Sequence, residues 1–290
     1  MNARFVLTFI HKPYFGAVKF VDTVLDSGLN PAVSPIHYGI RALRLPLAAA
    51  LVASMQPADI TTFWDAWAKR DAAAFGGVLQ RVRSRVQRHP DRRVVQLLDE
   101  ALAWAQQHSA ELLDARRSKY DAPNVVALTL IIGVLHEVIG VRGGQVLRFV
   151  HDREQQFAKA LKEVFEVVRQ LRPKAHAVSA IVDFEIVKTF GCPIELTESA
   201  TSPTLQLVDC LLWLLRRSGG GDVGAPACEE LVASLAKRTI VSEFSFQQLL
   251  RDIRDLNAQV DGLDLSSEQL VKGQELLAEF ERSRRTRMKS

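Results

Sequence analysis

Apolar positions recur at helical spacing over most of this chain, and a few short stretches break that period. Residues 4–10 combine β-branched and aromatic side chains, with Pro13 just beyond, which predicts a strand. Val18, Val21, Val24 and Leu25 follow at helical spacing, and Asp26-Ser27-Gly28 with Asn30-Pro31 predicts the turn that ends that helix. From residue 36 to about 141 the pattern predicts almost continuous helices. Pro46 kinks or starts one of them, and Pro57 opens another with Phe63, Trp64 and Trp67 on its apolar face. Pro90 and Asp91 restart the pattern ahead of Val94, Leu97, Leu98, Ala101 and Leu102, and Pro123 starts the last helix. This block reads as a helical insertion or subdomain.

After Gly143-Gly144 the period shortens. Residues 145–151 (QVLRFVH) predict a strand with Asp152 at its C-terminal end, and Phe157, Leu161, Val164, Phe165 and Val168 mark one face of the next helix. Extended stretches are expected at 177–184 and, more briefly, at 193–197. A turn-rich loop at 198–203 leads to Pro203, which opens a strongly apolar helix over 205–215. SGGGDVG at 218–224 is the clearest linker, and two or three amphipathic helices with a basic end lie beyond it. The expected organisation is a domain over 1–217 with a helical insertion at about 40–140, a linker at 218–225 and a helical appendage over 226–290.

At 290 residues and 48% hydrophobic content the chain has ample core without staples. Cys192, Cys210 and Cys228 are too scattered for a disulfide framework and form no CxxC pair, which points to reduced thiols and a cytoplasmic protein. No secretory signal is read at the start. The apolar run at 125–141 holds His136 and Glu137 and reads as a buried helix, so no membrane partner is expected. The formal charge of +4 says little by itself. Its distribution says more, because arginines cluster at 81–93 and basic residues again at 282–289. Such runs can track a phosphate backbone, or they can be a solvated helix face and a tail. Lys12, Arg81, Arg85, Arg88, Arg284 and Arg285 are the candidate contacts to nucleic acid.

Two carboxylates ask for explanation. Asp209 sits among Leu205, Leu207, Val208, Leu211 and Leu212, where an acid is expensive unless it is paired, bound to a metal, or turned to solvent on a narrow stripe with Gln206. Asp152 ends a strand ahead of a helix, where an N-cap is the plainer role. His136 reads as a satisfied core histidine, and His151 either orients a substrate or packs.

The string FVHDREQQFAKALKEVF at 149–165, followed by IELTESATSPTLQLVDCLLWLL at 194–215, resembles a bacterial family filed as "domain of unknown function 3800". That family's helix carries a Leu-Gln-Leu-Ala-Asp-like motif, and the matching residues here are Leu205-Gln206-Leu207-Val208-Asp209. The resemblance covers about residues 4–217, with its firm motifs in the second half. It implies an α/β, helix-rich chain with an RNase H-like mixed sheet. Acidic side chains of such a sheet hold two divalent cations, Mg²⁺ or Mn²⁺, for phosphodiester cleavage of nucleic acid. Carried across by motif, Asp152 and Asp209 are the catalytic, metal-binding pair.

The family's first strand bears an Asp-Glu-Ser-Gly-like signature that has no counterpart here, which makes the expected sheet N-terminally incomplete. Three readings follow: a start lying further upstream, a truncated pseudoenzyme, or a stand-in carboxylate such as Glu154, Asp183 or Glu198. The rival to a nuclease is therefore a non-catalytic nucleic-acid-binding or assembly subunit. Its exposed sheet edge would pair with a second copy or another chain.

Overall fold

The computed structural model describes residues 5–115, 122–140, 142–170, 189–219 and 226–289. The chain is helix-rich and mixed α/β, and it divides into two compact units, each assembled from two stretches of sequence. One unit joins Ile10–Arg117 to Phe244–Ser290, and the other joins Met1–Phe9 to Ser118–Glu243. The helical block therefore begins at residue 10 rather than near 40. The segment beyond residue 243 belongs with it instead of standing as an appendage.

The helical unit contains α1 (Lys12–Leu25), α2 (Pro35–Gly39), α3 (Arg41–Ala53), α4 (Pro57–Lys69), α5 (Ala72–Val86), α6 (Arg92–Gln107) and α7 (Ser109–Ala115). Much later in the chain, α12 (Phe246–Asp261) and α13 (Ser267–Arg287) complete it. Its boundaries follow local chemistry. Asp71 caps α5 by accepting from the Ala74 N–H, and Asp91 caps α6 by accepting from Arg93 and Val94. Ser266 and Gln269 form a capping box on α13. Pro57 opens α4 as expected, whereas Pro46 lies inside α3. The core is a helix-on-helix contact in which the rings of Phe20 and Phe63 meet edge to face at 5.2 Å, and Phe75, Leu79, Leu98 and Leu102 are fully buried around them. Asn30 is a buried polar residue here, and it is satisfied on every side. Its amide donates to the carbonyls of Val24 (2.7 Å) and Ala101 (3.0 Å), and its oxygen accepts from Ala32 (3.0 Å).

The second unit contains β1 (Phe5–Ile10), α8 (Pro123–Leu135), β2 (Phe149–Asp152), α9 (Ala158–Gln170) and β3 (Ile194–Thr197). It continues with α10 (Pro203–Gly219), α11 (Pro226–Ala236) and β4 (Thr239–Phe244). β1 pairs with β4, and β2 pairs with β3 in parallel, with Asp152 opposite Thr197. β4 lies where only helices were expected. Its TIVSEF sequence does not alternate between apolar and polar residues, so period alone does not mark it as a strand. The strand expected at 145–151 is shorter and later. Val146 makes only an isolated bridge to Phe190, and the regular pairing covers 149–152. The extended stretch expected at 177–184 and the linker at 220–225 lie outside the described residues.

α8 ends in a π-helical turn, His136–Gly140, where His136 Nδ1 and the Thr189 hydroxyl share a hydrogen bond of 2.7 Å. Pro123–Gly140 is long and apolar enough to cross a membrane by length and composition. Contrary to the expectation of a buried helix, only one stripe of α8 is buried. Val125, Leu128 and Ile132 join Leu161 and Phe165 in one core cluster, while most of its other side chains are half-buried.

Candidate functional site

The carboxyl ends of β2 and β3 gather three of the acidic candidates. Parallel pairing is responsible, because the Arg153 N–H donates to the Thr197 carbonyl (2.9 Å) and brings residues 152–154 beside 197–199. The ends of parallel strands are where α/β sheets commonly bind ligands. Phe149 anchors the strand by packing its ring at a tilt against Phe165 of α9, with ring centroids 4.9 Å apart.

Two of these acids already accept a hydrogen bond from the chain, and the third faces an arginine. Half-buried Asp152 accepts the Ser199 N–H on Oδ1 (3.0 Å), a loop-capping bond that fixes the start of the 3-10 turn Ser199–Thr201. Half-buried Glu154 accepts the Asn124 side-chain amide. Exposed Glu198 faces Arg153 at 3.8 Å. His151 donates from Nδ1 to the Asp152 carbonyl (2.6 Å), which turns that nitrogen toward the backbone.

Asp209 stands elsewhere in its surroundings than the apolar run implied. None of the residues of α10 with a described environment is buried, and Asp209 is exposed. Leu205, Leu211, Leu214 and Leu215 are half-buried, while Leu207 (59% exposed), Val208, Leu212 and Trp213 (56% exposed) face out. The desolvation argument for Asp209 therefore falls, since its carboxylate remains in water. Asp183 lies outside the described residues.

The donor chemistry of Asp152, Glu154, Glu198 and Asp209 suits a hard divalent cation, but the geometry does not. Among the described residues no three His, Cys, Asp or Glu side chains form a group that could hold a metal ion. The described residues do not fit the two-cation site implied by the resemblance.

The basic candidates divide sharply. Asp59, only 2% exposed, receives Arg81 Nε on Oδ1 (2.8 Å) and Arg85 Nη1 on Oδ2 (2.6 Å), and Oδ2 also accepts the Gln56 N–H (3.0 Å). Burial alone would push the Asp59 carboxyl up, but these donors hold it below its ordinary range. Arg83 forms a two-bond fork on Asp99, at 2.6 and 2.9 Å. Arg284 is not on the surface at all. It is fully buried (0% exposed), donates to both oxygens of Glu281 (2.6 and 2.8 Å) and to the Ala32 carbonyl (2.9 Å), and pairs with Glu100. Arg285 also reaches Glu281 (2.9 Å) and stays largely exposed. Lys12 and Arg88 are exposed. The arginine run thus builds internal clamps before it builds a cationic surface. Asp59 and Glu281 are the partners that sequence reading missed. An acid three positions into a helix that Gln56-Pro57 opens was a capping signal for Asp59 alone.

No family model, no curated protein and no solved structure matches this chain.

Proposed function

We propose that this chain is an assembly subunit on an RNase H-like framework, docking another protein through the outward face of α10. The observation that carries this reading is the cluster of Leu207, Val208, Leu212 and Trp213 in water on one helix. Large apolar side chains exposed in such number on one element mark surfaces that bind other proteins. Arg217 lies over the Trp213 ring at 4.9 Å, and buried tryptophan and arginine are the side chains that dominate binding energy at interfaces. The engagement of Asp152, Glu154 and Glu198 by donors of the chain also supports it, since each acid has a structural role that needs no cation.

The test is a photo-crosslinking residue placed at position 213 in cells that make the protein. A discrete protein adduct, lost when Leu207 and Leu212 are both changed to Ser, is expected. Failure to form any adduct would overturn the proposal. Multi-angle light scattering of the purified chain then tells a second copy from a different partner.

A second reading, a Mg²⁺- or Mn²⁺-dependent phosphodiesterase acting on nucleic acid, is favoured by one observation: Asp152 stands at the carboxyl end of a parallel strand. Calorimetric titration with Mn²⁺ tests it. Binding that vanishes in the Asp152→Asn/Asp209→Asn variant supports a metal centre, and an absence of binding by the parent chain removes this reading.

A further inference from the structure

A groove of 440 Å³ lies between α6 and α13, on the unit that holds neither β2 nor α10. That volume falls within the range of about 300–1,000 Å³ typical of ligand sites. Leu97, Leu277 and Ala278 form its apolar lining, and Arg93, Arg285 and Glu281 are its charged members. Glu281 offers no free charge to a visitor. One of its oxygens accepts from Arg284 and Arg285, and the other accepts from Arg284. The Arg93 guanidinium has no acceptor among the described residues. Counting Arg93, Arg284 and Arg285 against Glu100 and Glu281 leaves one net positive charge around an apolar floor.

We propose that this groove is a docking site for a helical segment of a partner protein whose leucine-type side chains are flanked by aspartate or glutamate. Helix-in-groove recognition seats apolar side chains at i, i+3 and i+4 between two helices. Here the lining accepts those side chains, and Arg93 and Arg285 meet acidic neighbours on the incoming helix. A nucleic-acid backbone fits less well. Single strands gain affinity by stacking bases on aromatic rings, and the groove lining has none. The surface is independent of the α10 reading, because it belongs to the other unit.

The experiment pans a displayed library of random helical peptides on the full chain, with counter-selection on the Arg93→Glu/Arg285→Glu variant. Enriched peptides rich in Asp or Glu, with leucines at helical spacing, are expected. One labelled winner should bind at least tenfold more weakly to the double variant in fluorescence anisotropy. It should also bind weakly to Ala278→Trp, which fills the groove. Circular dichroism confirms that both variants are folded, and the α10 crosslink at position 213 should persist in both. No enrichment over the variant, winners without acidic bias, or an oligonucleotide that displaces the winner would overturn the proposal.

Discussion

Arg284→Ala is the most informative single change in this protein. Arg284 is wholly buried, and it ties α13 to α6 and to the loop after α1. Truncation removes two charge-assisted bonds to Glu281, the ion pair with Glu100 and the donor to the Ala32 carbonyl. Deleting one partner of a buried pair typically costs about 3–5 kcal/mol. Two features place this case at the low end. Glu100 and Glu281 keep some contact with water (31% and 21% exposed), and Arg285 remains on Glu281. The expected loss is therefore about 3 kcal/mol, or roughly a hundredfold more unfolded protein. Urea denaturation followed by tryptophan fluorescence reads it, because Trp64, Trp67 and Trp104 all lie in the helical unit and only Trp213 lies in the other. A triple variant, Arg284→Met with Glu281→Gln and Glu100→Gln, should recover most of the loss, since no buried charge is then left unpaired and Arg285, which loses Glu281, is largely exposed. A loss below about 1 kcal/mol in Arg284→Ala, or a triple variant no more stable than the single one, would refute the account.

Acid should weaken the same unit in two steps. The Arg284 hydrogen bonds, outweighing burial, hold the Glu281 carboxyl at about 2, so its contribution is complete above the ordinary 4.5 and is lost as pH falls from there toward about 2. Burial, with Arg93 and Arg284 nearby, lowers the His37 pKa, so its contribution is complete above the ordinary 6.5 and is lost as pH falls below it. Urea midpoints that stay flat from neutral pH to about 3 would contradict both. At the strand ends, Asp152→Ala should cost about 1–2 kcal/mol through the orphaned Ser199 N–H, while Asp152→Asn keeps an acceptor and should cost less than half of that by thermal melting. Gly140→Ala should destabilise the π turn after α8. Its Cβ would overlap the Thr189 hydroxyl oxygen and lie 3.1 Å from His136 Nδ1, and a melting temperature equal to the parent's would show that the turn yields freely.

What could be read from the sequence depended on whether the signal was local. β1, the short strand at 194–197, the Pro57 and Pro203 helix starts and the succession of helices from α3 to α8 all follow from period, proline and caps, and the structure contains them. β4 escaped because six residues of mixed polarity carry little periodic signal, and pairing with a strand more than two hundred positions earlier is what stabilises it. The same limit misled the reading of the charges. Arg284 looked like part of a basic tail, and only the fold shows it entering the core beside Ala32. At Asp209 the apolar neighbours left burial and a solvent-facing stripe equally open, and α10 turns the carboxylate to water while Leu205, Leu211, Leu214 and Leu215 are half-buried. The domain boundary placed at Ser218–Gly224 followed composition, whereas the units follow contacts between distant stretches.

The bond between Arg284 and Ala32 closes a loop of 252 residues. Closing a flexible loop of that length costs about 5 kcal/mol of chain entropy, before any long-range contact offsets it. A ribosome exposes Ala32 and the first seven helices long before it makes Arg284, so the loop after α1 waits with its carbonyl uncapped while the other unit is still emerging. Translation therefore sets an order in which the helical unit acquires its lock last. Nascent chains interrupted before residue 284 should be much better protease substrates than chains that extend through Arg287, which donates to the Val33 carbonyl of the same loop (2.9 Å).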